Sequence, residues 1–298
     1  MTTARTAPAP RARPASTTRR SRARRRWQNA GLYVAMVVVV ALFAFPLLWV
    51  FSLSLRTPQE VVATPPPLLP SELRWENYGH VLATSDIGRY LLNSLIVVAG
   101  SVAGCLAVCV PAGYGLSRLR FRGSGVFSRL VLACQLISPV VLIVPVYRLF
   151  VSVGLINNYF GMILVYVAVT APFLTWFLRN YLDSIPAQLD EAAMVDGATR
   201  WRALLTVVVP AAAPGIASAA IVVAVLSWSQ FVVPFVLVDD SNLYPVSVGV
   251  VNLQQTTGEV TLQYVAAGSI LAVAPVIVVF VVLQRYIVGA LTAGSIKG

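Results

Sequence analysis

Residues 183–214 read DSIPAQLDEAAMVDGATRWRALLTVVVPAAAP, a polar interruption between two long apolar segments. The stretch predicts a short helix with a defined start and stop. Pro186 suits a first helical turn, where its missing N–H has no partner to lose. Asp190 and Glu191 follow early in the helix, where the dipole favours negative charge. Gly197 stands where a left-handed residue commonly closes a helix. Ala192 and Ala193 keep the middle of the helix thin, so another surface can approach it. Thr199 then caps a second helix, which enters the membrane through Trp201 and Leu204. Signals of this kind also occur in plain connectors between membrane helices.

The rest of the composition agrees with a membrane setting. The mean hydropathy of the 298-residue chain is +0.79. Several apolar runs exceed the ~18 residues that mark a candidate span, so the class is an all-α polytopic membrane protein. The net charge of +11 does not point to nucleic acid as a partner. Nine of the 22 basic residues lie in the first 26 positions, beside an apolar run, where they face a lipid membrane surface. Cys105, Cys109 and Cys134 fall in apolar segments and read as small buried thiols. With His80 the single histidine and no Cys/His cluster, no zinc site is expected.

Taken in order, residues 1–26 are rich in Arg, Ala, Pro, Thr and Ser and are expected to be disordered. Residues 32–53 form a first span, too long for the apolar core of a cleaved signal. Residues 55–87 form an outer loop in which Pro65, Pro66, Pro67 and Pro70 forbid a continuous helix. Ser85 or Asp86 caps a second span over 89–116. A basic turn with Arg118, Arg120, Arg122 and Arg129 precedes a third span over 127–150, and a fourth covers 159–178. The fifth runs over 201–236, longer than the ~20 residues a span needs, with bending expected at Pro210, Pro214 and Pro234. The sixth covers 264–287.

Six spans with the N-terminus inside place eighteen basic residues on inner segments and four (Arg56, Arg74, Arg89, Arg148) on outer ones. That asymmetry fits both termini and the 183–200 loop being cytoplasmic. The eleven acidic residues all fall in loops or at helix ends. A secondary transporter driven by an ion gradient commonly buries such groups within its spans, so this class is disfavoured. A membrane-anchored structural protein is a third class.

Glu191-Ala192-Ala193, then Gly197, then Pro210 resembles the EAA loop of membrane subunits of binding-protein-dependent ABC importers. Further segments extend the resemblance over about residues 75–298, toward the maltose/lactose-type carbohydrate permeases. Trp75-Glu76-Asn77-Tyr78 resembles the ENY segment before the second span, and Asn93-Ser94-Leu95 opens that span as the family does. The run 113–121, GYGLSRLRF, resembles its AYALARLRF segment, and 145–150 with Gly154-Leu155 resembles PLYxLF–GL. The ending LTAGSIKG at 291–298 resembles the LTAGxVKG tail. Two positions depart from the pattern. Trp228-Ser229-Gln230-Phe231 stands where Trp-Asn-Glu-Phe is frequent, and Ala290 replaces a usual glycine.

The resemblance implies a type I importer fold, with a core over about 89–288 inside a permease domain at 27–298, in the plasma membrane of a bacterium. It implies half of a translocation pathway for a sugar, a di- or oligosaccharide, or for a glycerol-phosphate-type solute. The implied partners are a second, non-identical permease subunit, two ATP-binding subunits and an extracellular solute-binding protein. ATP and Mg would act on those partners, and no cofactor is expected in this chain. A phosphate-binding P-loop needs Gly-Lys-Ser/Thr, and the single lysine, Lys297, is followed by Gly298. The resemblance assigns ATPase coupling to Glu191, Ala192, Ala193, Asp196 and Gly197. It also assigns an ATPase contact to Leu291, Thr292, Ala293, Gly294 and Lys297. Candidate pathway residues are the polar and aromatic side chains within spans: Asn93, Gln135, Ser138, Thr170, Trp228, Gln230 and Phe231. Each of these could instead pack or bond to a neighbouring helix.

Overall fold

The computed structural model describes residues 17–65, 67–119, 123–136, 138–256 and 262–295, with backbone alone for 17–30, 124, 127, 128, 132, 139, 254–256, 280 and 282–295. Every regular element among them is helical. The first four helices are α1 (Thr17–Ser54), α2 (Pro58–Val61), α3 (Glu76–Thr84) and α4 (Ile87–Arg118). Then come α5 (Ser124–Ala133), α6 (Pro139–Ser152), α7 (Tyr159–Asp183), α8 (Gln188–Val195) and α9 (Arg200–Ala203). The last are α10 (Val209–Ala211), α11 (Ala213–Trp228), α12 (Val232–Leu237), α13 (Val246–Thr256) and α14 (Leu262–Ser295).

Among the described residues, four stretches are long and apolar enough to cross a membrane: Gly31–Ser54, α4, α7 and Leu262–Val279. Two bent pairs raise the number to six if each is one span. Residues 1–51 and 52–298 form separate compact units. In the first, α1 begins at Thr17, so Arg19 to Arg26 belong to a helix and not to the disordered tail expected there. Residues 1–16 lie outside the described residues.

In the second unit, α4 and α7 lie side by side and run parallel. At one end Tyr159 donates to Asn93, and at the other Ser117 donates to Asp183. Between these ends the backbones approach closely. A Cβ added at Gly104 would lie 2.9 Å from Val167, and one at Gly113 would lie 3.2 Å from the Arg179 backbone nitrogen. Small residues at such crossings are how membrane helices gain dispersion contact, since lipid is as apolar as the helix faces. Cys105, Cys109, Leu174, Leu178, Ala219 and Val223 form one of the buried clusters where α4, α7 and α11 meet. Cys134 departs from the sequence expectation: it is exposed, while Cys105 and Cys109 are buried.

The third span breaks where a continuous helix was expected, and the fifth bends between Pro210 and Pro214, where bending was expected. α5 with its 3-10 extension Cys134–Leu136 meets α6 at 95°, and Pro139 opens the new helix. The fifth begins as α9, widens into a π turn at Leu204–Val208, and bends by 81° between Arg200–Ala211 and Ala213–Trp228. Proline explains the site of this bend. Pro210 has no N–H for the carbonyl one turn back, and its ring crowds that carbonyl. The preceding π turn, closed by Val209 N–H donating to the Leu204 carbonyl, shifts the ladder to make room. The helix also ends at Trp228, and Val232–Leu237 is a separate short helix.

The loop after α1 is fastened by its own polar groups. Asn77 donates to the carbonyls of Ser54 (2.9 Å) and Arg56 (3.0 Å), and the Tyr78 hydroxyl meets the Ser54 hydroxyl at 2.7 Å. The ENY segment thus has a structural use. Thr57 and Glu60 form a reciprocal capping box, and Glu60 also accepts from the Ser71 N–H at 2.7 Å. These bonds hold the Glu60 carboxyl low, at about 2, with Ser71 the largest cause. Ser85 and Asp86 do not cap α4 as expected. The Ser85 hydroxyl donates back to the Val81 carbonyl, and Asp86 occupies the N-cap position with no side-chain cap bond.

Candidate functional site

The 183–200 loop folds into α8 and its two closures. α8 starts at Gln188 with Ala187 at its N-cap, so Pro186 precedes the helix instead of opening it. Asp190 and Glu191 lie in its first turn. At the far end Gly197 has φ +87°, its N–H donates to the Met194 carbonyl, and the Ala198 N–H donates to the Ala193 carbonyl. This is a Schellman closure, in which two otherwise orphaned carbonyls are satisfied by one left-handed residue. Thr199 then caps α9, its hydroxyl accepting from the Arg202 N–H at 3.3 Å.

The two acids of α8 face different ways, because successive helical residues point about 100° apart. Glu191, Ala192 and Asp196 are exposed, and Ala193 is half-buried. Val195 is 87% exposed and Leu189 42%, so α8 presents a thin, mostly apolar face with one carboxylate beside it. Asp190 points inward and is buried. Its Oδ2 accepts from Arg118 Nε at 2.5 Å, with the side chains only 6% and 10% exposed. The same guanidinium donates to the Ile185 carbonyl at 2.9 Å and to the Ser117 hydroxyl at 3.1 Å. This pair was not among the sequence candidates. No local signal in the sequence marks it, because its two partners lie 72 residues apart.

The candidate pathway residues do not converge on one pocket. Asn93 is buried, and both of its amide hydrogens are used, toward the carbonyls of Asn242 (2.8 Å) and Tyr244 (3.0 Å). Its oxygen accepts from Tyr159 at 2.8 Å. Asn93 is therefore a fastener between α4, α7 and the 242–244 loop, and it offers no donor to a solute. Trp228 donates from Nε1 to the Ala272 carbonyl at 3.2 Å, joining α11 to α14. Thr170 is buried on α7. Ser138 stands at the N-cap of α6 without a cap bond. Gln230 and Phe231 lie in the break between α11 and α12. There the Gln230 carbonyl accepts from the Ser247 hydroxyl at 2.7 Å, and Phe231 stacks on Phe235.

Gln135 donates to the Val169 carbonyl at 3.3 Å and lines a cavity of about 420 Å³ with Cys134, Leu142, Val146, Phe150 and Pro172. The lining is nearly all apolar, so this cavity alone lacks the hydrogen-bonding groups that would orient a polyol. Leu291 to Gly294 lie on the last turns of α14 by backbone. Their side chains, and Lys297, lie outside the described residues.

Truncating Asn93 tests its role as a fastener. Asn93→Ala leaves two carbonyls without donors and should lower stability by about 1–3 kcal/mol. The expected result is a drop in Tm of the purified protein, with little change in apparent solute affinity in what remains folded. A changed affinity at unchanged Tm would return Asn93 to the pathway.

Apolar spans, two of them bent, with a short capped helix exposed between two of them, define a polytopic membrane protein. The chain belongs to the family of binding-protein-dependent transport system inner membrane components, whose pattern matches residues 109–292. It is 31% identical over 280 residues to the probable ABC transporter permease protein YurM of Bacillus subtilis, covering 92% of this chain and 91% of that one. It is 29% identical over 269 residues to the trehalose/maltose transport system permease protein MalG of Thermococcus litoralis, covering 90% and 96%. It is 32% identical over 270 residues to the diacetylchitobiose uptake system permease protein NgcG of Streptomyces coelicolor, covering 90% and 88%. Among solved structures, a chain of a bacterial ABC transporter involved in import of the acidic polysaccharide alginate superposes with a TM-score of 0.75 at 24% identity. The match covers 88% of this chain and 96% of that one. The fold is thus the all-α polytopic fold of a type I importer permease.

Proposed function

We propose that this chain is one of two membrane subunits of an ATP-driven importer for a sugar, a di- or oligosaccharide delivered by a soluble binding protein outside the cell. The observation that carries the proposal is α8. A short helix, closed at Gly197 and presenting Glu191, Ala192 and Val195 outward, has the form of a docking element for another subunit. That partner would be an ATP-binding subunit, and a second copy of it would serve the other permease subunit. ATP and Mg would act there and not in this chain. The excess of basic residues on the same side of the spans supports a cytoplasmic α8 and cytoplasmic termini in a bacterial plasma membrane. Leu291–Gly298 would emerge on that side and meet the same partners.

The sugar class is supported by relatives named for trehalose/maltose and diacetylchitobiose. A relative named for sulfoquinovosyl glycerol favours a second reading, a glycoside of glycerol. Gln230 and Phe231, in the break after α11, are the groups best suited to meet such a solute, by amide hydrogen bonding and ring stacking. The test is affinity purification of the subunit from its native membrane, followed by ATP turnover with binding protein and a panel of disaccharides. Co-purified ATP-binding subunit and turnover stimulated severalfold by one glycoside are expected. A subunit that purifies without any ATP-binding partner would overturn the proposal.

A further inference from the structure

α4 is fastened at both of its ends. At the end near α8, Arg118 holds Asp190 in a buried ion pair and reaches the Ile185 carbonyl, while Ser117 donates to Asp183 at 2.5 Å. Asp183 also lies 3.7 Å from Arg179, one turn back on α7. At the opposite end, Asn93 donates to the carbonyls of Asn242 and Tyr244, and the Ser94 hydroxyl accepts from the Val246 N–H at 2.8 Å. Arg89 adds a bond to Asn242. Asn93 and Arg118 lie 25 residues apart, a rod of about 38 Å at 1.5 Å per residue, with Pro111 in its interior.

α8 therefore hangs from α4 by a directional, charged contact. Its chain neighbours hold it differently. The turn Ser184–Ala187 separates it from α7, and Gly197-Ala198 separates it from α9. α8 also packs against α9 and the π turn Leu204–Val208, so packing ties it to the fifth span while the ion pair ties it to α4. A guanidinium with one nitrogen on a carboxylate, a second on a backbone carbonyl and a third on a hydroxyl fixes orientation as well as distance. Arg suits this better than Lys, because its planar fork holds the three acceptors in fixed directions, whereas the three donors of an ammonium rotate on a flexible stem.

We infer that the Arg118–Asp190 pair is the joint through which displacement of α8 is passed to α4, and through α4 to the 242–246 loop at the far end. Arg118 and Asp190 are positioning residues and touch neither nucleotide nor solute. Glu191 and Val195 face the partner; Asp190 faces the rod. The joint presupposes the docking role proposed above for α8.

The test separates docking from transmission. The complete complex is purified with Asp190→Asn, and separately with Arg118→Gln and Asp190→Asn together. Both are compared with the native complex for co-purified ATP-binding subunit, ATP turnover and solute uptake. The double variant leaves no unpaired buried charge, so it keeps the experiment decisive if the single variant folds poorly. The residues of the outward face of α8 are unchanged in both, so co-purification should stay within about twofold of native. Uptake per ATP hydrolysed should fall about tenfold in the double variant, because the charge-assisted fork is replaced by a weaker neutral bond. A double variant with native uptake per ATP would overturn the joint. So would parallel loss of co-purification, turnover and uptake, which would mean the pair only shapes the docking helix. Absence of ATP-binding subunit from the native preparation would instead sink the docking role itself.

Discussion

Gly197→Pro should reduce uptake below about a tenth of the native rate at unchanged membrane insertion, because three faults fall on one residue. Proline holds φ near −65°, whereas Gly197 sits at +87°. The N–H that donates to the Met194 carbonyl is lost. Asp196, which precedes it at φ −73° and ψ 7°, is pushed away from the helical region by the proline ring. Each fault costs on the order of 1–3 kcal/mol, so the Schellman closure cannot survive and α8 is re-aimed. Open space surrounds the position, with nothing within 4 Å of an added Cβ. Gly197→Ala therefore meets left-handed strain alone, about 1–2 kcal/mol, and should retain partial uptake. Glu191→Ala removes one exposed contact and should be milder than Gly197→Pro. Uptake assays with quantified membrane protein and co-purified partner check the order of the three. Native uptake in Gly197→Pro would show that the loop is a mere connector.

How much of this was legible in the sequence depended on range. The closures at Gly197 and Thr199 were readable because each is decided within a few residues. The start of α8 was misplaced by two residues, since Pro186 fits equally well just before a helix. The prolines of the fifth span marked where it bends, but the 81° angle and the stop at Trp228 depend on packing against α14. The Asp190–Arg118 pair spans 72 residues and the Asn93–Asn242 bond 149, so neither has a local signature. Asn93 was grouped with the pathway because a polar residue in an apolar span must be used for something. Only the position of the 242–244 carbonyls shows that the use is internal. Cys134 was misjudged for a related reason. An apolar run can face a cavity as readily as a core.

Gly113→Leu should lower both Tm and uptake sharply, whereas Gly115→Leu, two residues further along the same helix, should do neither. At Gly113 a Cβ would lie 3.2 Å from both the Arg179 backbone nitrogen and the Leu178 Cβ. Backbone of α7 cannot yield as a flexible side chain does, so an isobutyl group there must force the helices apart. Overpacking of this kind typically costs about 1–3 kcal/mol and occasionally more. At Gly115 the nearest contact is the end of Leu119, at 3.9 Å. Leucine is also the better helix former there, by roughly 1 kcal/mol. Separation at Gly113 has a second consequence. Ser117 and Arg118 follow about one turn later and hold Asp183 and Asp190, so a displaced α4 end misaligns both bonds. Uptake should consequently fall further than the loss of folded protein accounts for. Thermal unfolding of the purified complex, with uptake normalised to folded subunit, measures the two effects separately. Equal behaviour of the two leucine variants would mean that α4 and α7 do not approach at Gly113 as closely as described.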